Sequence, residues 1–160
     1  MSEGNHSQAN IPNMSMKAHK FLIYCLLPLW TACEVTDVGD HILMLLGEYS
    51  WRQPWRLLMN TSPLWLSYAS ICLYVMLSLI VLVFLIRAQS GLWKFKACGP
   101  RLLNRTLLLA LCKNLIYMVF TLATHSLENK FVMPIIILVI LVMMFCCRRY
   151  YNVRDQYFVN

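Results

Sequence analysis

The sequence predicts an all-α protein, a four-helix transmembrane bundle with both termini in the cytoplasm. Of its 160 residues, 59% are hydrophobic and 13% are charged, whereas soluble domains have about 45–50% and 25%. Four stretches are apolar enough to cross a bilayer core about 30 Å thick, which takes roughly 20 helical residues. The basic residues fall mostly on one side of these stretches, as is typical of cytoplasmic segments. This composition excludes a soluble enzyme, a nucleic-acid-binding module and a disordered chain.

The four predicted spans cover residues 21–46, 64–86, 102–124 and 131–147. The second contains no charged residue and is followed directly by Arg87, and the short fourth span is followed by Arg148. The first and third spans are interrupted by polar residues. Helices are the predicted form of each span because lipid offers no hydrogen-bond partner to an open backbone.

The N-terminal region has two interpretations. Residues 1–16 are polar and lack periodicity, which predicts a disordered tail before a single transmembrane domain of residues 17–160. Lys17 and Lys20 precede a 13-residue apolar run, a pattern that also resembles a signal peptide. Because apolar sequence resumes at Ile42, a first span is favoured over a cleaved leader.

The net charge of +7 comes from 14 Lys and Arg against 7 Asp and Glu. With four spans, one side holds ten basic residues: two in the N-terminal tail, five at the connection between the second and third spans (with Arg105 at the start of the third) and three in the C-terminal tail. The other side holds three. The excess is therefore a topology signal, next to anionic lipids that contribute about 1 kcal/mol per basic residue. It predicts the lipid bilayer as a partner and no nucleic acid.

Aromatic and basic residues flank the spans, where such side chains anchor at the lipid headgroups. Residues 90–100, between the second and third spans, are expected to lie in the interface as a short amphipathic segment. The residues predicted at the headgroup level are Trp51, Trp55, Trp93, Lys94, Lys96, Arg148 and Arg149.

Three of the seven acidic residues lie in one stretch of the first span: Glu34, Asp37 and Asp40, with His41 next to them. At 100° per residue, Glu34, Asp37 and His41 share an arc of about 60°, and Asp40 widens it to about 120°. Carboxylates beside a histidine predict a cation or proton site that opens outward. In the alternative, the span ends between residues 33 and 38 and the acids form its solvated end.

Lys113 is the predicted partner of these acids. Glu34 lies thirteen residues into the first span, about 20 Å deep, and Lys113 lies ten residues into the third, about 15 Å deep. An ionised side chain at the bilayer centre costs at least about 2.5–3.5 kcal/mol. We therefore predict a buried contact between Glu34 and Lys113 that joins the first and third spans.

Motifs of catalysis are absent from the sequence. There is no GxSxG, no HExxH and no phosphate-binding loop, and the seven cysteines form no CxxC pair. No second histidine or cysteine motif supports a metal ion at the acidic stretch. The sequence thus predicts a non-enzyme with no catalytic residue, no cofactor and no metal.

Several short elements are spread along the chain: residues 20–24, Arg87, Gly91, Leu92, Phe95, Lys96, Gly99, Pro100, residues 115–117, Tyr150, Tyr151, Arg154 and residues 158–160. In these elements the chain resembles a family of small, uncharacterised four-span membrane proteins abundant in gut Gram-positive bacteria. The resemblance covers about residues 20–160 and implies four helices with cytoplasmic ends in a bacterial cell membrane, without an assigned activity. The chain departs from the family pattern at residues 34–41, where the family lacks several acids.

Three functions are compatible with these features. The leading expectation is a membrane protein that acts through interactions, as a subunit, regulator or lipid-associated scaffold, with a second copy or another membrane protein as partner. The alternative is a component of a proton- or cation-coupled transporter or channel that works as an oligomer. A toxin-immunity protein would have the same size and number of spans. The polar pathway of a transporter would consist of Glu34, Asp37, Asp40, His41 and Lys113.

Overall fold

The structure, a computed structural model, describes residues 16–46, 64–123, 132–154 and 157–158. Within these ranges the chain forms four long helices: α1 (Lys17–Leu45), α2 (Leu64–Trp93), α3 (Cys98–Ala123) and α4 (Val132–Asn152). Each is long and apolar enough to cross a membrane. The predicted four-helix transmembrane bundle is therefore confirmed. The predicted tail lies, apart from Met16, outside the described residues.

All four helices extend beyond the predicted spans at one end. α1 and α3 each begin four residues earlier, at Lys17 and Cys98. α2 continues seven residues further, to Trp93, and α4 continues five residues further, to Asn152. Arg87 and Arg148 mark where the apolar runs end, but they do not end the helices, because a long basic side chain can reach the headgroups while its backbone stays helical. Residues 90–100, which are expected to lie in the interface, consist of the end of α2, a tight turn and the start of α3.

α1 contains one irregular turn. Residues Leu22–Leu26 form a π-helical turn just before Pro28. Proline has no N–H, so the carbonyl of Tyr24, four residues earlier, cannot receive its usual helical hydrogen bond, and a wider turn accommodates the gap. Beyond it the helix continues unbroken to Leu45. The helix itself therefore does not end between residues 33 and 38, where the alternative places the end of the first span.

Consecutive helices pack against one another, and α1 meets α4 at the end of the bundle that carries the chain termini. There His19 Nδ1 lies 3.0 Å from the Tyr151 hydroxyl. The rings of Phe95, in the turn between α2 and α3, and Phe158 lie 4.9 and 5.7 Å from the His19 ring. We call this the terminal end of the bundle. It brings together the start of α1, the end of α4 and the α2–α3 turn.

Two apolar cores lie at different levels of the bundle. In lipid such cores stabilise the helices through close packing rather than through the hydrophobic effect. The core nearer the terminal end includes Leu27, Leu85, Leu92, Leu103 and Leu107. The core nearer the opposite end consists of Met44, Ile71, Tyr74, Val75 and Tyr117. Along α1 and α3, Glu34 and Lys113 lie between the two cores.

The α2–α3 turn brings two helix backbones into close contact. Phe95 adopts the left-handed conformation (φ 50°), the N–H of Phe95 donates to Leu92 O at 3.2 Å, and the N–H of Lys96 donates to Gly91 O at 2.9 Å. This pattern is a Schellman motif that ends α2. A Cβ on Gly99 would lie only 2.7 Å from Leu92 N and 2.8 Å from Gly91 C. The turn therefore requires glycine at these helix ends.

Candidate functional site: a carboxylate–lysine cluster beside a cavity

One face of α1 carries the acidic residues into the protein. Glu34, Asp37 and His41 follow one another at helical spacing, and all three are buried. Asp40 is half-buried on the flank of this face, as its wider angle predicts. The structure therefore groups three of the four predicted residues on the buried side of α1.

Lys113 of α3 lies between two of these acids. Its Nζ donates to Glu34 Oε2 at 2.6 Å and to Asp37 Oδ2 at 3.2 Å. Its side chain is as deeply buried as the carboxylates. The contact between Glu34 and Lys113 that the sequence predicts is thus present, and a single lysine is shared by two carboxylates. We call Glu34, Asp37 and Lys113 the carboxylate–lysine cluster.

Aromatic side chains complete the hydrogen bonds of the cluster. Trp30 Nε1 donates to Glu34 Oε1 at 3.1 Å, and the Tyr74 hydroxyl of α2 donates to Asp37 Oδ2 at 3.3 Å. Lys113 Nζ lies 5.4 Å from the centre of the Tyr74 ring, within range of a cation–π interaction. Three helices therefore contribute donors to the two carboxylates.

His41 lies one turn beyond Asp37. Its Nδ1 donates to the Asp37 carbonyl oxygen at 2.6 Å and lies 3.7 Å from Asp37 Oδ1. Because a carbonyl oxygen can only accept, Nδ1 carries a proton. The imidazole ring also packs on Tyr74, with the ring centres 4.6 Å apart. His41 therefore links the turn of α1 that carries Asp37 to Tyr74 of α2.

Acidic side chains outnumber basic ones in the cluster. Two acids and one lysine meet in a buried region, where opposite charges about 4 Å apart attract by about 4 kcal/mol at an effective dielectric constant of 20. Lys113 offsets much of the cost of burying either acid, but it is shared. Ionisable residues inside a membrane are expensive, and they mark functional sites by default.

A cavity of about 670 Å³ lies beside the cluster, between α1 and α4. Its polar lining consists of Glu34, Asp37, Tyr74, Lys113, Asn114 and Tyr117, and the rest of its lining is largely apolar and comes mostly from α1 and α4. Cys33 and Val139 form exposed parts of the two walls. The cluster is therefore reached from a cavity as well as buried among helices.

Sequence reasoning missed the aromatic donors and the cavity. Trp30 precedes Glu34 by one helical turn, so its hydrogen bond could have been inferred from spacing. Tyr74 lies 37 residues from Asp37, and no local signal links the two. Of the four residues predicted to form an outward-opening site, Glu34 and Asp37 line the cavity, whereas Asp40 and His41 do not. Lys113 also lines the cavity.

Five of the seven residues predicted at the headgroup level lie in the described part of the chain, and all five are exposed. Trp93 is exposed, and its ring lies 5.3 Å from that of Tyr24. Trp51 and Trp55 lie outside the described residues. The remaining four, all exposed near the terminal end, are Lys94, Lys96, Arg148 and Arg149.

In the part of the chain that the structure describes, His, Cys, Asp and Glu side chains form no group of three or more suited to a metal ion. The acids of the cluster are bonded to Lys113, Trp30 and Tyr74 instead.

Comparison with known proteins leaves the site to be interpreted from its own geometry. No protein-family model, no curated protein and no solved structure matches this chain. The resemblance to the four-span family of gut bacteria therefore stays a prediction.

Proposed function

We propose that the protein acts by binding inside the bilayer, as a membrane subunit, regulator or lipid-associated protein, and that the cavity between α1 and α4 is its binding site. One observation carries the proposal: the cavity reaches a buried cluster of ionisable side chains, whose cost to the fold calls for a function. The size of the cavity falls within the range of about 300–1,000 Å³ that is usual for small-molecule sites. No catalytic arrangement is needed for this role.

Extraction of the protein from its native membrane tests this proposal. Cys33→Trp and Val139→Trp each place a large side chain in the cavity from an exposed position of its wall. Val83→Trp is the matched control, since Val83 is 53% exposed on α2 and does not line the cavity. We expect mass spectrometry of detergent-free nanodiscs to find a molecule retained by the wild type and the control and lost from both cavity variants. Identical contents in all four samples would overturn the proposal.

Coupled transport is the second candidate, because ionisable side chains line the cavity itself. Four spans are few for a transporter, so this function requires association of several copies. Reconstituted protein should then carry a flux driven by a proton or cation gradient, and the double variant Glu34→Gln, Asp37→Asn should abolish it. Flux equal to that of empty liposomes would exclude transport while leaving the binding proposal in place.

We also propose that both termini and the α2–α3 turn face the cytoplasm of a bacterial cell. The support is the distribution of ten basic residues against three. Cys98 is exposed at this turn and provides a reporter in a variant that has no other cysteine. A membrane-impermeant maleimide should label it only after the cells are permeabilised. Labelling in intact cells would reverse the orientation.

A further inference from the structure

The cavity is much larger than a bare ion requires. A water molecule occupies about 30 Å³ of liquid volume, and the cavity measures about 670 Å³. A proton or a metal ion at the cluster would leave most of this volume unfilled. The volume indicates an organic molecule.

The cavity has a polar end and an apolar length. The charged side chains in its lining are Glu34, Asp37 and Lys113, and the lining on α1 then continues from Cys33 to Leu26. That stretch is about 10 Å long at 1.5 Å per residue. The facing wall of α4 supplies aliphatic and methionine side chains. Such a cavity is complementary to a molecule with a polar head and a hydrocarbon chain.

The polar end favours a positively charged head. Its lining contains the side chains of two acids and one lysine, so acidic groups outnumber basic ones, and a cationic head finds more favourable partners there than an anionic head. The ring of Trp30 lines the same end, and aromatic faces bind ammonium groups, including quaternary ones. The charged lining and the aromatic lining of this end therefore both favour an ammonium head.

The lining of the cavity includes side chains that are exposed on the outside of the bundle. Leu29 of α1 and Ile135 of α4 line the cavity and are 67% and 60% exposed. Both belong to membrane-spanning helices, so in a bilayer these side chains border the acyl chains. A ligand with a hydrocarbon chain can enter the cavity from the lipid without crossing water.

From these observations we infer that the cavity binds a single-chain amphiphile with an ammonium head, whose head lies at Glu34 and whose chain lies between α1 and α4. The inference rests on the proposed function, because it names the ligand of the same cavity. The ligand enters the cavity from the bilayer.

Photoaffinity labelling of the full chain in phosphatidylcholine nanodiscs tests the inference. Three probes share a twelve-carbon chain with a photoreactive diazirine and differ only in the head: trimethylammonium, hydroxyl or carboxylate. We expect the ammonium probe to label α1 and α4 at cavity positions, and unlabelled dodecyltrimethylammonium to compete. In Glu34→Gln, half-saturation by the ammonium probe should need about tenfold more probe, which corresponds to the loss of one favourable charge contact.

Two controls separate charge from folding and from position. The hydroxyl probe should label Glu34→Gln as well as it labels the wild type, which shows that the variant is folded. Cys33→Trp should block all labelling of the cavity, and Val83→Trp should not.

Two results would overturn the inference. If the ammonium and hydroxyl probes label with equal affinity and Cys33→Trp blocks both, the cavity binds an amphiphile without selecting charge, and the proposed function stands. If no probe labels the cavity in a saturable way, the ligand class is wrong, and the native extraction decides separately whether the cavity binds anything.

Discussion

Replacing Lys113 with methionine is expected to destabilise the protein by about 3–5 kcal/mol, the usual cost of leaving a buried charge without its partner. Lys113 Nζ contacts the carboxylates of Glu34 and Asp37 at 2.6 and 3.2 Å. Methionine preserves the length of the side chain but supplies no charge, so two acids would repel each other in a region shielded from water. The measurement is the unfolding temperature of the purified protein, together with its accumulation in the membrane.

The control for this variant is a lysine in an exposed position. Lys96→Met removes a charge from the exposed α2–α3 turn, where surface charges contribute about 0–1 kcal/mol. The triple variant Lys113→Met, Glu34→Gln, Asp37→Asn removes all three charges and should recover most of the lost stability. Failure of the triple variant to recover would show that shape, rather than charge, dominates at this position.

Replacing Gly99 with alanine is the second change expected to have a large effect, of about 1–3 kcal/mol, which is typical of overpacking. The added Cβ would lie 2.7 Å from Leu92 N and 2.8 Å from Gly91 C. Both are backbone atoms, so relief requires α2 and α3 to move apart. Because this pair of helices shares the most extensive contact in the bundle, we expect a lower unfolding temperature and partial proteolysis at the turn.

Gly39 provides the matched control. It lies in the middle of α1, and a Cβ there would meet no atom within 4 Å. Gly39→Ala should therefore be neutral or stabilising by about 0.5–1 kcal/mol, the helical advantage of alanine over glycine. Equal losses at Gly39 and Gly99 would contradict the claim that backbone contact, and not helix propensity, fixes the turn.

Hydropathy and charge predict the number and the order of the helices, but not where they end. The apolar run of α2 stops at Arg87, and its helix continues to Trp93. The end of α2 depends on Phe95, whose left-handed conformation closes the Schellman motif. Glycine is the usual residue at that position, so the phenylalanine gives no signal in the sequence.

The candidate site was partly predictable for a clear physical reason. A charged residue in a membrane span needs a partner, and Lys113 is the one lysine within the spans predicted from the sequence, which leads directly to Glu34. The second contact, to Asp37, depends on the rotation of α3 against α1. The cavity depends on the separation of α1 from α4, which no single helix encodes.

The relative stability of Glu34→Gln and Lys113→Met shows whether two carboxylates share one lysine at a binding site. Glu34→Gln leaves a balanced pair, Asp37 and Lys113, whereas Lys113→Met leaves two acids. Unfolding temperatures measured side by side in the same nanodiscs should place Glu34→Gln within about 1 kcal/mol of the wild type and Lys113→Met about 3–5 kcal/mol below it. If both variants unfold equally early, the cluster is a structural ion-pair network that needs all of its members, and the account of a binding site is contradicted.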